Sequence, residues 1–580
     1  MRLREMEIVA VAVLLFVLAQ CSLYPPVEGV EGGPQGLDGI AHRFGVQPLD
    51  PASSVPLTKQ ALEELEKTDP LRQLKGTTYE LTQGNRLPAN WLIQTPDVWN
   101  KPAAAVSYIW PGCADCTTDL HLPLCHQSAE CGGTPCITLH ASVSRPGMRA
   151  RKFCVGHSDD VVDRFHDLII SARQAVDVTL LQPPPDGRFL AAIRNAITWL
   201  AYSGRKVTIR IMIGNFPPAG TDLPAFINSL MRDASAARHS RLHVYVGKIR
   251  SCDGGSPCDT LSWNHSKIVA VDGTRVISGG HNMWTEDYLL AAPVHDLSME
   301  IDGRAARTAH RFADALWGFV CSRPADDQLN HSYQIIGDKP RFAHGCLSRI
   351  ELPHESEAAG DIPILTVGRL GAGIRPDFAD QDLIARDLML GAATRTIRMV
   401  QQDIAFSLVL GSDKSWPDSA LERMADLMAV RHGDVYLVLS NQGAQGRVGT
   451  YSNDVPLQAV ADRLLALVEA RNRLAKSDAS ALLCRHLHLA PLRFGPDATW
   501  PDNQPIGVHA KFWMVDDRVF YIGSDNLYPV DLQEFGNIVE DRAASAQFLR
   551  DYWNHVWQWS RSAAISGDDA PRCVFATPKS

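Results

Sequence analysis

The 580-residue chain has no basic surplus: 56 Lys and Arg stand against 65 Asp and Glu, a formal net charge of −9. Proteins that neutralise many phosphates of a polymer carry a basic stripe or patch. None is present, so avid binding to nucleic acid is disfavoured and no nucleic-acid partner is expected. The chain also lacks a convincing membrane span, which argues against an integral-membrane enzyme. Its N-terminal apolar run, Ile8 to Ala19, falls short of the ~20 residues a bilayer requires. Arg2 and Arg4 precede that run, and the small residues Ala19 and Cys21 close it. The pattern predicts an export signal over 1–21, with a retained N-terminal anchor as the alternative. Apolar residues make up 45% and charged residues 21%, as in soluble globular proteins. The length exceeds what one core ordinarily serves and predicts two or more domains.

Cysteine is plentiful. Of 13 cysteines, all but Cys21 lie beyond the signal region, and an even number in an exported chain predicts disulfides. Cys252 and Cys258 flank a glycine-rich loop and can pair locally. Cys321 and Cys346 bracket a segment rich in Pro, Asp and Gly. Cys113, Cys116, Cys125, Cys131, Cys136 and Cys154 crowd into an insertion at about 111–154. "CADC" with His121 or His126 could hold zinc, but an oxidising compartment favours disulfides there.

Hydrophobic periodicity organises the rest. Residues 22–56 read as a flexible leader, and "LTKQALEELEKTDPLRQL" has helical leucine spacing. Then "VVDRFHDLIISARQA" reads as helix, "VDVTLLQ" as strand, "RFLAAIRNAITWLAYSG" as helix ended by Gly204, and "KVTIRIMIG" as strand. The order returns in "QDLIARDLMLGAA", "RTIRMVQQ", "ALERMADLMAVRHG" and "DVYLVLSN". Two long repeats of helix and β-branched strand predict two similar α/β/α sandwich domains, at 57–325 and 363–570, joined by a linker at 326–362.

Each repeat leads into a related stretch: "NHSKIVAVDGTRVISGGHN", 264–282, and "VHAKFWMVDDRVFYIGSDN", 508–526. Laid without gaps, they align His265 with His509, Lys267 with Lys511, Asp272 with Asp516, Gly279 with Gly523 and Asn282 with Asn526. In extended backbone, residues two apart share a face, so each histidine points with its lysine. A cation beside a histidine opposes its protonation unless an anion sits between them, and a phosphate group is the simplest such anion. Two copies brought together place two histidines on opposite sides of one phosphorus. One can attack and the other can protonate the leaving alkoxide. The lysines and asparagines neutralise the equatorial oxygens, so no metal or other cofactor is required. A lone histidine before a strand is ordinarily a surface or core residue; the recurrence in register argues otherwise. Asp272 and Asp516, before a turn, read as structural supports of the motif, bonding local backbone.

These stretches resemble the duplicated histidine–lysine–aspartate motif of the phospholipase D superfamily. "WNHSKIVAVDGTRVISGGHNMWTEDYL", "YIGSDNLYPVDLQEFGNIVE", "NWLIQTPDVW" and "LTVGRLGAGI" are similar to the secreted bacterial phospholipases D over about 57–560. The resemblance implies two α/β/α domains related by a pseudo-twofold axis, with one active site at their interface. It implies hydrolysis of phosphatidylcholine-like lipids to phosphatidic acid and the head-group alcohol, with transfer to other alcohols, by a monomer acting at a membrane or micelle surface. By resemblance, His265 is the nucleophile that becomes a phosphohistidine, and His509 is the acid and then the base. Lys267, Lys511, Asn282 and Asn526 bind the phosphoryl group, and Asp272 and Asp516 complete the motifs. Gly279, Gly280, Gly523 and Ser524 line the site. A carboxylate after each motif orients its histidine: Asp296 for the first and Glu534, where the family has aspartate, for the second. The family's partner for Cys484 falls near position 408, here Leu408, which leaves Cys573 as the alternative. "GNFPPAGTDLP" and "SNQGAQGRVGTYSNDVP" are candidate rim loops, with Trp284 or Tyr288 as candidate lipid contacts. The resemblance also leaves other superfamily substrates open, a nucleic acid or a second lipid, as it does a non-catalytic lipid-binding role.

Overall fold

A computed structural model describes residues 45–106, 122–217, 220–255, 258–336, 341–352, 358–374, 380–405 and 415–575. The expected signal, most of the leader, Cys113, Cys116, His121 and Leu408 lie outside the described residues.

The protein is built from two mixed sheets covered by helices. In the first, the parallel strands His243–Gly255, Thr208–Gly214 and Ala175–Leu181 lead to the antiparallel run Ile268–Val271, Arg275–Gly279, Asp296–Asp302 and Leu92–Thr95. The second repeats this order with Leu487–Pro491, Asp434–Leu439 and Thr396–Gln401, then Phe512–Val515, Val519–Gly523, Glu534–Glu540 and Ile362–Arg369. This equivalence, strand for strand, is the pseudo-twofold relation implied by the repeat. One strand crosses between the halves: Tyr79–Asn85, early in the chain, pairs with Ile362–Arg369 at the edge of the second sheet.

The local structure follows the pattern in the sequence. Ala175–Leu181 and Ile268–Val271 are almost wholly buried, as strands covered on both faces must be, and apart from Asp177 and Thr179 their residues are apolar. The helix Gly187–Ser203 ends at Gly204, whose φ of 68° suits glycine. The hairpins after the two motifs turn at Asp272 and Gly273, with φ 54° and 67°, and at Asp516 and Asp517, with φ 52° and 59°. Each loop has three residues, since Val271 pairs with Arg275 and Val515 with Val519, and its first two have positive φ.

Five disulfides join described cysteines: Cys125–Cys136, Cys131–Cys154, Cys252–Cys258, Cys321–Cys346 and Cys484–Cys573. Cys484 therefore takes Cys573. In the insertion, Cys125, Cys131 and Cys136 cluster closely but all are bonded as disulfides, and His126 lies at the surface beside Glu130. No helix among the described residues is long and apolar enough to cross a membrane.

Candidate active site

The histidine of each motif sits in extended backbone just before a buried strand, where the two sheets meet. The residue preceding each histidine forms a bridge with the other half: Asn264 with Gln533, and Val508 with His295. His265 N donates to Gln533 O at 2.9 Å, and His509 N donates to His295 O at 2.7 Å. These bridges decide where the carboxylates go. Glu534 follows Gln533 and Asp296 follows His295, so each carboxylate faces the histidine of the opposite half. His265 Nδ1 lies 2.9 Å from Glu534 Oε1. His509 Nδ1 lies 2.8 Å from Asp296 Oδ2. The pairing expected within each half is thus corrected to an exchange across the interface. Spacing along the chain cannot show this, because it contains no record of the inter-half bridges.

The two imidazoles lie with ring centroids 6.2 Å apart, nearly edge to face. With Nδ1 held by a carboxylate, Nε2 is the nitrogen left for chemistry in each ring. Lys267 and Lys511 are buried beside them. Lys267 Nζ donates to His265 O at 2.5 Å, and Lys511 Nζ donates to His509 O. Asn282 and Asn526 are buried too, and neither amide Oδ1 has a protein partner; Asn526 Nδ2 donates to Tyr528 OH at 2.8 Å. An unpaired buried amide oxygen is costly, and a donor in the site, such as a water or an alcohol hydroxyl, would satisfy it.

Burial dominates the electrostatics. It drives both histidines well below their ordinary value; the adjacent lysines push the same way, with Asp296 opposing them at His509. Both rings are therefore neutral near pH 7 in the empty site. Burial also brings Lys267 down to about 8 and takes Lys511 well below the usual lysine range. The carboxylates diverge. Burial pushes Glu534 up to about 7, only partly offset by Arg369 and Lys267. For Asp296, burial is outweighed by His509 and His281, which hold it well below the usual carboxylate range. Two buried lysines stand beside the two neutral rings, and a phosphodiester's anionic oxygens would complement their charge.

The other expected residues occupy different places. Asp272 lies at the far end of its strand, where its carboxylate accepts from the backbone N–H groups of Arg173, Gln174 and Ala175 at 2.8–2.9 Å. Asp516 does the same for Thr394, Arg395 and Thr396. Both fasten the start of the neighbouring strand, some hundred residues earlier in the chain, and neither is in the site. The glycines clear space rather than offer ligand contacts. A Cβ on Gly280 would stand 2.0 Å from Asp296 Oδ1, and one on Gly279 would stand 2.4 Å from Ser298 Cα. One on Gly523 would meet Tyr521 OH at 2.0 Å. Ser524 Oγ donates to Glu534 Oε2 and so helps to aim it. Trp284 and Tyr288 are buried, not exposed on a rim. Trp284 Nε1 donates to Pro183 O at 2.8 Å.

Three residues support the histidines in ways the sequence does not indicate: Tyr288, expected at the lipid, and Tyr451 and Arg369, to which sequence reasoning assigns no role. Tyr288 OH donates to Asp296 Oδ2 at 2.9 Å and lies 3.1 Å from His509 Nδ1. Tyr451 sets its ring edge-on to His509 at 5.3 Å. Arg369, directly across the sheet from Glu534, donates to Leu532 O and Asp525 Oδ1. Arg369 lay within "LTVGRLGAGI", but nothing in that phrase shows that its strand neighbours Glu534.

Fold and site together define a duplicated α/β enzyme whose single centre is assembled from both halves. No family model matches the chain. It is 29% identical over 552 residues, 86% of this chain and 87% of the relative, to a phospholipase D of Streptomyces antibioticus. Among solved structures it is similar to the phosphatidylserine synthase of Haemophilus influenzae, with 13% identity, a TM-score of 0.43, and coverage of 75% of this chain and 90% of that one. It is also similar to a polyphosphate kinase of Porphyromonas gingivalis, with 11% identity, a TM-score of 0.33, and coverage of 68% and 47%. Over most of its length the chain is similar to the Streptomyces relative, and it is an enzyme of the phospholipase D kind, a phosphodiesterase.

Proposed function

We propose that the enzyme hydrolyses phosphatidylcholine-like glycerophospholipids to phosphatidic acid and the free head-group alcohol, and transfers the phosphatidyl group to other alcohols. The observation that carries this is the pair of buried imidazoles 6.2 Å apart, each held at Nδ1 by a carboxylate of the other half. His509 first takes up a proton from solvent at Nε2 as the negative charge of the phosphodiester enters the site; His265 Nε2 then attacks phosphorus, and the bond to the head-group oxygen breaks as His509 delivers that proton to it. Water or an alcohol then gives its proton to His509 and attacks phosphorus, and the P–N bond breaks. Lys267, Lys511, Asn282 and Asn526 hold the equatorial oxygens as charge shifts among them.

The lipid assignment rests on similarity to a relative named phospholipase D and on the acidic balance of the chain, which disfavours a polyanionic substrate. Export to the cell exterior or periplasm is part of the same reading. It is supported by the N-terminal apolar run and the five disulfides. One chain supplies both histidines and both carboxylates, which supports a monomer as the working form.

The test is to incubate the mature chain with phosphatidylcholine and a little ethanol. Phosphatidylethanol and phosphatidic acid are expected, and both should vanish in His265→Ala. Neither product, with a generic phosphodiester still cleaved, would keep the site but refute the lipid substrate.

A further inference from the structure

The loop 441–456 belongs to the second half, yet its tip is held by a side chain of the first. The loop folds back on itself as a small hairpin: Gln445 bridges Thr450, and Gly446 N donates to Gly449 O at 2.9 Å. Its tip points three consecutive N–H groups at the carboxylate of Asp287. Arg447 N and Val448 N donate to Oδ1 at 2.7 and 3.0 Å, and Gly449 N donates to Oδ2 at 3.0 Å. Tyr451 OH adds a fourth bond, to Oδ2 at 2.6 Å.

The fit is close. Asp287 is 1% exposed. A Cβ on Gly446 would stand 2.7 Å from its Oδ1, and one on Gly449 would meet Tyr451 OH at 3.0 Å and Trp284 at 3.1 Å. A buried carboxylate with four donors is a strong anchor, because burial strengthens each charge-assisted bond and makes any orphaned donor costly.

The anchor acts where the chemistry is. Asp287 lies on the single helical turn Thr285–Tyr288, next to Tyr288, whose hydroxyl reaches Asp296 and His509. Tyr451, held at its hydroxyl by Asp287, lies edge-on to the His509 ring at 5.3 Å and to the Tyr288 ring at 6.4 Å. Among the described residues no comparable anchor is recorded at the His265 ring, which has Glu534, Ser524 and Arg369 around it.

We propose that Asp287 is a positioning residue for His509: by latching the 446–451 loop of the second half onto the first, it fixes Tyr451 and Tyr288 around the imidazole that transfers the proton. The proposal rests on the reading of His509 as the acid and base. It separates two steps of the reaction. Attack by His265 with a leaving group that needs no proton should not depend on the latch, whereas departure of an alkoxide and activation of water should.

The test compares Asp287→Asn with the parent, both as the full mature chain, using phosphatidylcholine and phosphatidyl-p-nitrophenol. Asparagine keeps the two bonds at Oδ1 but presents an N–H to Gly449 N and Tyr451 OH. The expected result is a loss of about ten- to hundredfold in kcat on phosphatidylcholine with KM little changed, while the single-turnover burst of p-nitrophenol stays within about threefold. Tyr451→Phe, which removes one bond of the four, should show the same split at about threefold and keeps the test alive if Asp287→Asn does not fold. Equal loss on both substrates, or loss on neither, would overturn the positioning role. A parent chain that gives no burst would instead overturn the underlying reading of the site.

Discussion

The two halves share a fold, a motif and a pair of buried side chains, but they treat their histidines differently. His265 is held by a glutamate that burial pushes up to about 7 and that Ser524 helps to aim. His509 is held by an aspartate kept well below the usual carboxylate range, which also accepts from Tyr288, and Tyr451 lies against the ring. Duplication supplied two equivalent imidazoles. The residues around them, which differ between the halves, make the two inequivalent. A nucleophile needs a neutral ring and an open path to phosphorus. An acid needs a ring whose cationic form is stabilised once the substrate's charge arrives, and a fully ionised aspartate serves that end. The asymmetry therefore agrees with the assignment of attack to His265 and proton transfer to His509.

The largest effect that would break this comparison comes from the histidines themselves. His265→Ala should abolish phosphoenzyme formation and turnover with every leaving group. His509→Ala should still form the phosphoenzyme slowly with p-nitrophenol as leaving group, but not with choline. Rapid-quench measurement of both variants checks this, and equal loss with both leaving groups in His509→Ala contradicts its role as acid.

The lysines should come next, since both are buried beside the histidines and, in the proposed reaction, both hold the phosphoryl group. Lys267→Ala and Lys511→Ala are each expected to cost about 3 kcal/mol of transition-state stabilisation, by analogy with loss of one oxyanion donor. Activity within twofold of the parent would refute that role. The same cation sets a pH limit. Lys267, lowered to about 8 in the free enzyme, loses its charge as pH rises through that value, so kcat/KM should fall on the alkaline side from about pH 8. On the acid side the attacking ring must stay neutral. Because its ordinary value of 6.5 is lowered by burial, the fall should begin below pH 6.5. A profile flat from pH 7 to 10 would count against Lys267.

A smaller effect sharpens the difference between the halves. Ser524→Ala removes one bond to Glu534, and Tyr288→Phe removes one bond to Asp296. Each should cost about tenfold, the worth of one hydrogen bond to a charged group. The serine variant should slow the p-nitrophenol burst, and the tyrosine variant should spare it. The reverse pattern would exchange the roles of the two histidines.

The smallest effect on chemistry belongs to Asp272 and Asp516. Each ties down three backbone N–H groups at the end of its sheet remote from the histidines. Replacing either with alanine should lower stability by about 2 kcal/mol in a denaturation experiment while the folded fraction keeps its turnover. A selective loss of turnover at unchanged stability would place them in the chemistry after all.

What the sequence made legible was local and repeated. Ala175–Leu181, Thr208–Gly214 and their counterparts stand out because β-branched runs alternate with amphipathic helices, and the motifs stand out because they recur in register. What it hid was everything that depends on contact between distant segments. The early strand Tyr79–Asn85 joins the second sheet, and no periodicity tells which sheet a strand will extend. The exchange of Glu534 and Asp296 follows from the bridges 264–533 and 295–508, which are not encoded in spacing. Tyr451 and Asp287 lie 164 positions apart and look ordinary until the loop is seen to fold over the first half.

The central claim is that one histidine of the pair carries the phosphatidyl group and the other does not. The direct measurement is mass spectrometry of peptides from the parent enzyme, quenched under alkaline conditions during turnover of phosphatidyl-p-nitrophenol. The account predicts a phosphatidyl adduct on the peptide that contains His265 and none on the peptide that contains His509. An adduct on His509, or on neither while product still accumulates, would contradict it.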